Sequence, residues 1–506
     1  GGCLLTDNFN WGAQMTAYMS RPPDPAIRDD WRARWFERIE RMPFLAADWL
    51  RRPARDGYWR HGSVCEDWSA IQTPTLAIGG WNDAYVNAPF ALAENVAAPV
   101  RALVGPWEHK YPHLSRILPS DLHGEALRWF GRWLGGRDTG AEALPAMRVW
   151  VTEHDGAPTP LYGPRAGGWA AETAWPSPHV RERALNLGPE GLGETVCAGE
   201  VPVLTALTVG RGAGYFCPGM RIDNELSGDQ AGDDARSVCF DTAPMEAGLE
   251  ILGRPEVELA LRVDKPVAQI MLRLCDVAPD GASQRITYRP LNLCHHGGHA
   301  APRALTPGET VRARVALNAC AHRLKPGHRL RLAVSTSYWP ILWPSPEAAT
   351  VTLDLAGCRL ILPERVVEAE PDPQAPGPAI DHPALHAEQL RGTTSESVSR
   401  LEADGTALLE TFDDFGRIRR RDHGLEIGHT VRQLFAIREG DPLSARHEAR
   451  WRYELGRDDW RVAIESDSAM TCDHDNFYLK RRVTAFESDA PVLDKTWEEV
   501  VPRGLL

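Results

Sequence analysis

Two short stretches, TPTLAIGGWNDAY at residues 73–85 and VRALVGPWEHK at residues 100–110, decide how the chain is read. Each is an apolar run that ends on glycine and then turns polar. The first run suits a strand buried on both faces. A helical stretch around Ala88 to Val96 lies between them. After the second run, Ser120 or Asp121 can cap a helix in which Leu122, Ala126, Trp129, Phe130 and Trp133 share one face. Strand, helix, strand, helix at this spacing predicts a parallel sheet covered by helices. Ligands of such sheets bind at the carboxyl ends of strands. Asp83 and His109 fall there, on neighbouring loops. A carboxylate that accepts the Nδ1 proton of a histidine fixes its tautomer and leaves the other nitrogen as a general base.

Upstream, residues 1–60 read as helical. Asp24 and Pro25 make a helix start, and Ile27, Trp31, Trp35 and Ile39 form one stripe. Pro43 ends that helix, and a second short one carries Leu45, Trp49 and Leu50. The tryptophan-rich stripe reads as core. Downstream, from about residue 145, helical periodicity gives way to short alternating runs such as LEILGRPEVELALRV (249–263) and QIMLRLCDV (269–277). Turns at Asp280-Gly281, Pro307-Gly308 and Pro326-Gly327 separate such runs, which predicts a sandwich or barrel. Residues 363–385 are proline-rich and acidic, the composition of a linker, and strands resume over 386–506.

The chain has 506 residues, 43% hydrophobic and 25% charged, as expected of a globular protein with several cores. No apolar run approaches the ~20 residues of a membrane span. The net charge of −13 argues against a nucleic-acid partner. The ten cysteines include no C-x-x-C pair and read as buried thiols of a reducing, cytoplasmic setting. The sequence opens on Gly1 with no charged leader and apolar stretch, which reads as a processed or partial chain.

GGWNDAY (79–85), GPWEH (105–109) and EALRWFGRWLGG (125–136) together are similar to the cocaine-esterase and X-Pro dipeptidyl-peptidase family of serine hydrolases. RDGYWRHGSVCEDWSAIQTP (55–74), WAAETAWP (169–176), CFDTAPMEAGLEILGRPEVEL (239–259) and LKPGHRLRLAVSTS (324–337) extend the likeness over about residues 1–365. Residues 386–506 resemble an extra unit found on some members. The resemblance implies an α/β-hydrolase fold: a helical cap segment over 1–60 and the C-terminal part of the hydrolase domain over 61–140. A β jelly roll over 145–365 and a further all-β domain over 386–506 follow. It makes Asp83 the triad acid and His109 the triad base. Triads of this fold run Ser, Asp, His, with the serine on a G-x-S-x-G turn. No such turn occurs in the chain, so the nucleophile and oxyanion donors are expected upstream and the isolated chain is expected to be inactive.

Gly281-Ala282-Ser283-Gln284-Arg285 falls in a predicted hairpin turn downstream of His109, and Ser63 lacks the elbow pattern. His113 competes with His109 for the base role, and Glu108 reads as exposed or structural. Cys294, His295, His296 and His299 resemble a metal cluster, but in an extended chain adjacent side chains point to opposite sides, so no metal is expected. Arg417, Arg419, Arg420 and Arg421 follow Asp413 and Asp414 and read as a solvated, ion-paired face. The reading is an esterase or peptidase acting through an acyl-enzyme on an acyl ester, an amino-acid ester or an X-Pro peptide, with no cofactor. Its partners are small esters, amides or short peptides, not nucleic acid or membrane; a homo-oligomer is compatible. The alternative is a non-catalytic ligand- or carbohydrate-binding jelly-roll protein with a vestigial hydrolase part.

Overall fold

The computed structural model describes residues 1–381 and 386–506; positions 382–385 of the expected linker lie outside the described residues. The chain opens with helices α1 (Thr6–Met19), α2 (Trp31–Glu40), α3 (Leu45–Leu50) and α4 (Gly57–His61). The helix expected from Asp24 begins instead at Trp31, and Ile27 is 81% exposed. Asp24 is otherwise engaged. Its Oδ1 accepts from the Ala26 amide at 2.8 Å, and both its oxygens bind the Arg457 guanidinium at 2.7 and 2.8 Å. That docks the segment onto a distant sheet and leaves a turn where a first helical turn was expected.

Strands β1 (Thr75–Asn82) and β2 (Val100–Glu108) pair in parallel, from Thr75 opposite Val100 to Gly80 opposite Gly105. Strand β3 (Met147–Glu153) lies parallel on the far side of β2. Helix α5 (Ala88–Asn95) connects β1 to β2, and α6 (Leu122–Trp133) connects β2 to β3. The Asp121 side chain caps α6 by accepting from the Gly124 amide. Among the described residues β1 pairs with β2 alone, and most of its side chains are half-buried. The face expected for α6 is corrected. Trp129 is buried, but Phe130, one residue or about 100° further round, is exposed. Glu125 turns inward with Trp129 because Arg148 of β3 meets its carboxylate at 3.0 and 2.6 Å.

Beyond β3 the sheet continues. Cys320–Leu324 joins in parallel, then come the antiparallel strands Leu249–Gly253, Arg359–Arg365, Glu256–Val263 and Val351–Asp354. A four-stranded sheet of Ser283–Asn292, Gln269–Val277, Arg329–Ser335 and Val238–Asp241 packs on it. Val257, Leu259 and Leu261 of one sheet meet Ile270, Leu272, Leu274, Leu330 and Leu332 of the other in the main core. Residues 366–381 run along α6: the Asp121 amide donates to the Gly377 carbonyl at 2.8 Å, and Arg148 to that of Gln374 at 2.9 Å.

The last sheet is an antiparallel meander whose long strands include Thr406–Arg420, Glu426–Arg438, Asp441–Arg457, Trp460–Cys472 and Asn476–Glu487. Alternation is strict: Ala445, His447, Ala449, Trp451 and Tyr453 point inward, while Arg446 and Arg450 point out. The inner face packs against α1–α3. There Trp35 and Ile39 are fully buried and Trp31 partly so, which makes this part of the stripe core and leaves Ile27 outside it. Arg417, Arg419 and Arg420 of the arginine cluster are ion-paired, with partners other than Asp413 and Asp414: Arg417 and Arg419 with Glu426, Arg420 with Asp422. All ten cysteines are free thiols. No helix among the described residues is long and apolar enough to cross a membrane.

Asp413 leaves the arginine cluster for the interior. Its Oδ2 lies 2.7 Å from Arg221 Nε, both side chains are buried, and Ser395 Oγ donates to Oδ1 at 2.7 Å. Removing one partner of such a pair strands a charge away from water. Asp413→Ala is expected to cost about 3–5 kcal/mol of unfolding free energy, and the added Arg221→Met is expected to recover part of it. Urea denaturation measures both; a loss under about 1 kcal/mol in Asp413→Ala would refute this account of the joint.

Candidate active site

Asp83 follows β1 and His109 follows β2. The close pairing of the two strands leaves no room for a side chain at residue 80: a Cβ on Gly80 would stand 2.2 Å from the Trp107 carbonyl oxygen. Asp83 Oδ1 accepts from the Tyr85 amide at 2.9 Å, which closes a tight turn and aims Oδ2 across the gap. His109 Nδ1 stands 3.0 Å from that oxygen. A carboxylate only accepts, so Nδ1 carries the proton and donates. The Asp83 side chain is 15% exposed and that of His109 41% exposed. The hydrogen bond to Asp83 raises the His109 pKa above the ordinary imidazole value; burial opposes the rise, and the charges of Asp83 and Asp7 add to it.

The backbone of His109 is held from the sandwich. Its amide donates to the Pro218 carbonyl at 2.7 Å. Gly219, next in line, has φ +112°, and a Cβ there would come within 2.8 Å of the His109 backbone. Glu225 braces this loop by accepting from the amides of Gly219, Met220 and Arg221 at 2.9, 3.0 and 2.8 Å and from Tyr162 Oη at 2.6 Å. Arg221 then carries the brace to Asp413 of the last sheet. Burial pushes the Cys217 thiol up to about 12, helped by the charges of Asp7 and Asp83. Asp7, in the first turn of α1, also faces this centre; burial pushes its carboxyl up to about 6, against the opposing pull of His109.

The other sequence candidates sit elsewhere. The His113 ring packs on Tyr111 and His123, with centroids 5.9 and 4.6 Å away. Glu108 is buried rather than exposed and accepts from Ser115 Oγ at 2.7 Å and the Arg116 amide at 3.0 Å, a structural role. Ser283 starts a strand and donates to Asp234 at 2.7 Å, and Ser63 lies on the surface 3.1 Å from Cys65 Sγ. Leu293–His295 form a 3-10 turn instead of extended chain. Even so, Cys294 contacts the Pro266 carbonyl, His296 bonds the Leu293 carbonyl, and only His295 and His299 meet, at 3.2 Å. Asp7, Cys217, Pro218 and Glu225 carry no motif that points to this centre from the sequence.

With this geometry in hand, the likeness to known proteins can be placed on it. The family model described as X-Pro dipeptidyl-peptidase (S15 family) matches residues 1–111. The one described as X-Pro dipeptidyl-peptidase C-terminal non-catalytic domain matches residues 139–393. The chain belongs to this family. The S15 match contains Asp83 and His109, and the second match contains the loop that holds the His109 backbone. Cocaine esterase of Rhodococcus sp. is 22% identical over 328 residues, 59% of this chain and 54% of the esterase. An aminopeptidase from a marine sediment archaeon superposes with TM-score 0.54 and 17% identity over 66% of this chain and 62% of its own. A CocE/NonD family hydrolase from Staphylococcus aureus does so with TM-score 0.53 and 13% identity over 72% and 64%. The chain spans about half the length of the curated relatives it matches.

A histidine whose pKa is raised by its partner stabilises the fold below the unfolded-state value near 6.5, and the gain is lost as pH rises through the folded value. The His109 imidazole is therefore expected to titrate above 6.5 by NMR and to move down in Asp83→Asn. The stability deficit of Asp83→Asn should be largest near pH ~6 and shrink on going alkaline. An unmoved His109 titration in the variant contradicts the hydrogen bond.

Proposed function

We propose that the protein is a serine hydrolase that cleaves an ester or amide through an acyl-enzyme, with Asp83 and His109 as the acid and base of its triad. The observation that carries the reading is the 3.0 Å contact from His109 Nδ1 to Asp83 Oδ2 at the carboxyl ends of adjacent parallel strands. Asp83 orients the ring and stabilises the imidazolium. His109 Nε2 takes the proton of the attacking serine, returns it to the leaving group, and then activates water for deacylation. The serine, on a G-x-S-x-G turn, and the oxyanion donors lie in sequence upstream of residue 1 in the whole protein. The paired sheets over 145–365 form a jelly roll whose 215–225 loop fixes the His109 backbone. Substrates are acyl esters, amino-acid esters or X-Pro peptides, in keeping with the esterase and aminopeptidase names of the relatives and the family's X-Pro dipeptidyl-peptidase description.

A fluorophosphonate probe with intact-mass readout tests this. The 506-residue chain is expected to take no adduct, and a longer chain with the upstream segment to take one equivalent. In that longer enzyme Asp83→Asn is expected to lower kcat by about 10⁴-fold. A stoichiometric adduct on the 506-residue chain that disappears in His109→Ala would place the nucleophile within this sequence and overturn the proposal.

A further inference from the structure

Among the described residues, the group of His, Cys, Asp and Glu side chains able to close on a metal ion is Asp83, His109 and Cys217, with one ligand atom from each within 4.8 Å of the others. Ligands of one tetrahedral zinc, with bonds of about 2.0–2.3 Å, stand about 3.3–3.8 Å apart. The three side chains therefore need to close by only about an ångström. Their backbones come from three separate segments that are already tied together. The β1 and β2 loops meet through the Asp83–His109 hydrogen bond, and the residue after Cys217 accepts the His109 amide at 2.7 Å. The half-exposed His109 ring leaves an approach from solvent.

The donor set selects the cation. A sulfur, an imidazole nitrogen and a carboxylate oxygen exclude calcium and magnesium, which take oxygen ligands, and favour zinc and its neighbours. Three protein ligands leave a fourth position for water.

We propose that Asp83, His109 and Cys217 form an inhibitory site for a zinc-class divalent cation. On binding, the Cys217 S–H bond breaks, its proton leaves to solvent, and a sulfur–metal bond forms without change of oxidation state. The ion takes His109 Nδ1, the nitrogen beside Asp83; the Nδ1 proton leaves to solvent and the hydrogen bond that orients the ring is lost, which stops proton transfer. The inhibitory consequence rests on the triad reading of His109; the binding itself does not.

Cobalt(II) titration of the 506-residue chain, followed by absorption spectroscopy, tests the site. One equivalent is expected to give a near-ultraviolet thiolate-to-cobalt band that zinc displaces. The band should be lost in Cys217→Ser and separately in His109→Ala, with circular dichroism confirming that each variant is folded. Absence of the band, or its persistence in either folded variant, overturns the proposal. In the longer enzyme, zinc is expected to lower esterase turnover reversibly, with chelator restoring it, and the ratio of inhibited to uninhibited rate should approach one in Cys217→Ser. A cobalt band with no hydrolysis by the longer enzyme leaves the site standing and sinks the hydrolase reading. Hydrolysis without the band does the reverse.

Discussion

The parallel register that sets Gly80 opposite Gly105 is the constraint from which the functional end of the molecule follows. Two adjacent strands running the same way deliver their following loops to the same edge, and each loop here begins with one side chain of the site. Had the pairing been antiparallel, the same residues would have ended at opposite edges. The register also brings the Trp107 carbonyl so close to residue 80 that glycine is required there. The Asp83–His109 hydrogen bond is thus a consequence of sheet geometry, completed by a short turn in which Asp83 Oδ1 binds the Tyr85 amide.

A loop end alone does not hold an imidazole still. The 215–225 loop does so by taking the His109 amide on the Pro218 carbonyl, and the loop is stiff because Glu225 gathers three backbone amides and a phenol. Buried carboxylates are costly unless fully bonded, and Glu225 and Asp413 meet that condition by different means. Glu225 is satisfied by backbone and tyrosine donors, Asp413 by Arg221 and Ser395. In sequence, this line of support runs from residue 109 to residue 413, from the sheet of β1–β3 through the 215–225 loop to the last sheet.

The helices before β1 owe their position to the last sheet. Their tryptophans enter its inner face, and Asp24 is held by Arg457 at its rim. The first helix in turn carries Asp7 to the neighbourhood of His109. The last sheet therefore acts on the site twice, through α1 and through Arg221.

Local pattern was enough for the parallel strands, the helices between them, the alternating strands after residue 145 and the placement of Asp83 and His109 at strand ends, because periodicity and turn chemistry act over a few residues. It misjudged which face of α6 is buried and where α2 begins. Glu125 and Asp24 are each claimed by an arginine from elsewhere, Arg148 and Arg457, and a single sequence does not announce such pairs. The same holds for Cys217, Pro218, Glu225 and Asp7: their relation to His109 spans about a hundred residues of chain in either direction, and only packing creates it. The sequence by itself determined the element types and the residues that could do acid–base chemistry. The tertiary structure alone decided which of them meet and what holds them, because hydrogen bonds and burial act through space and not along the chain.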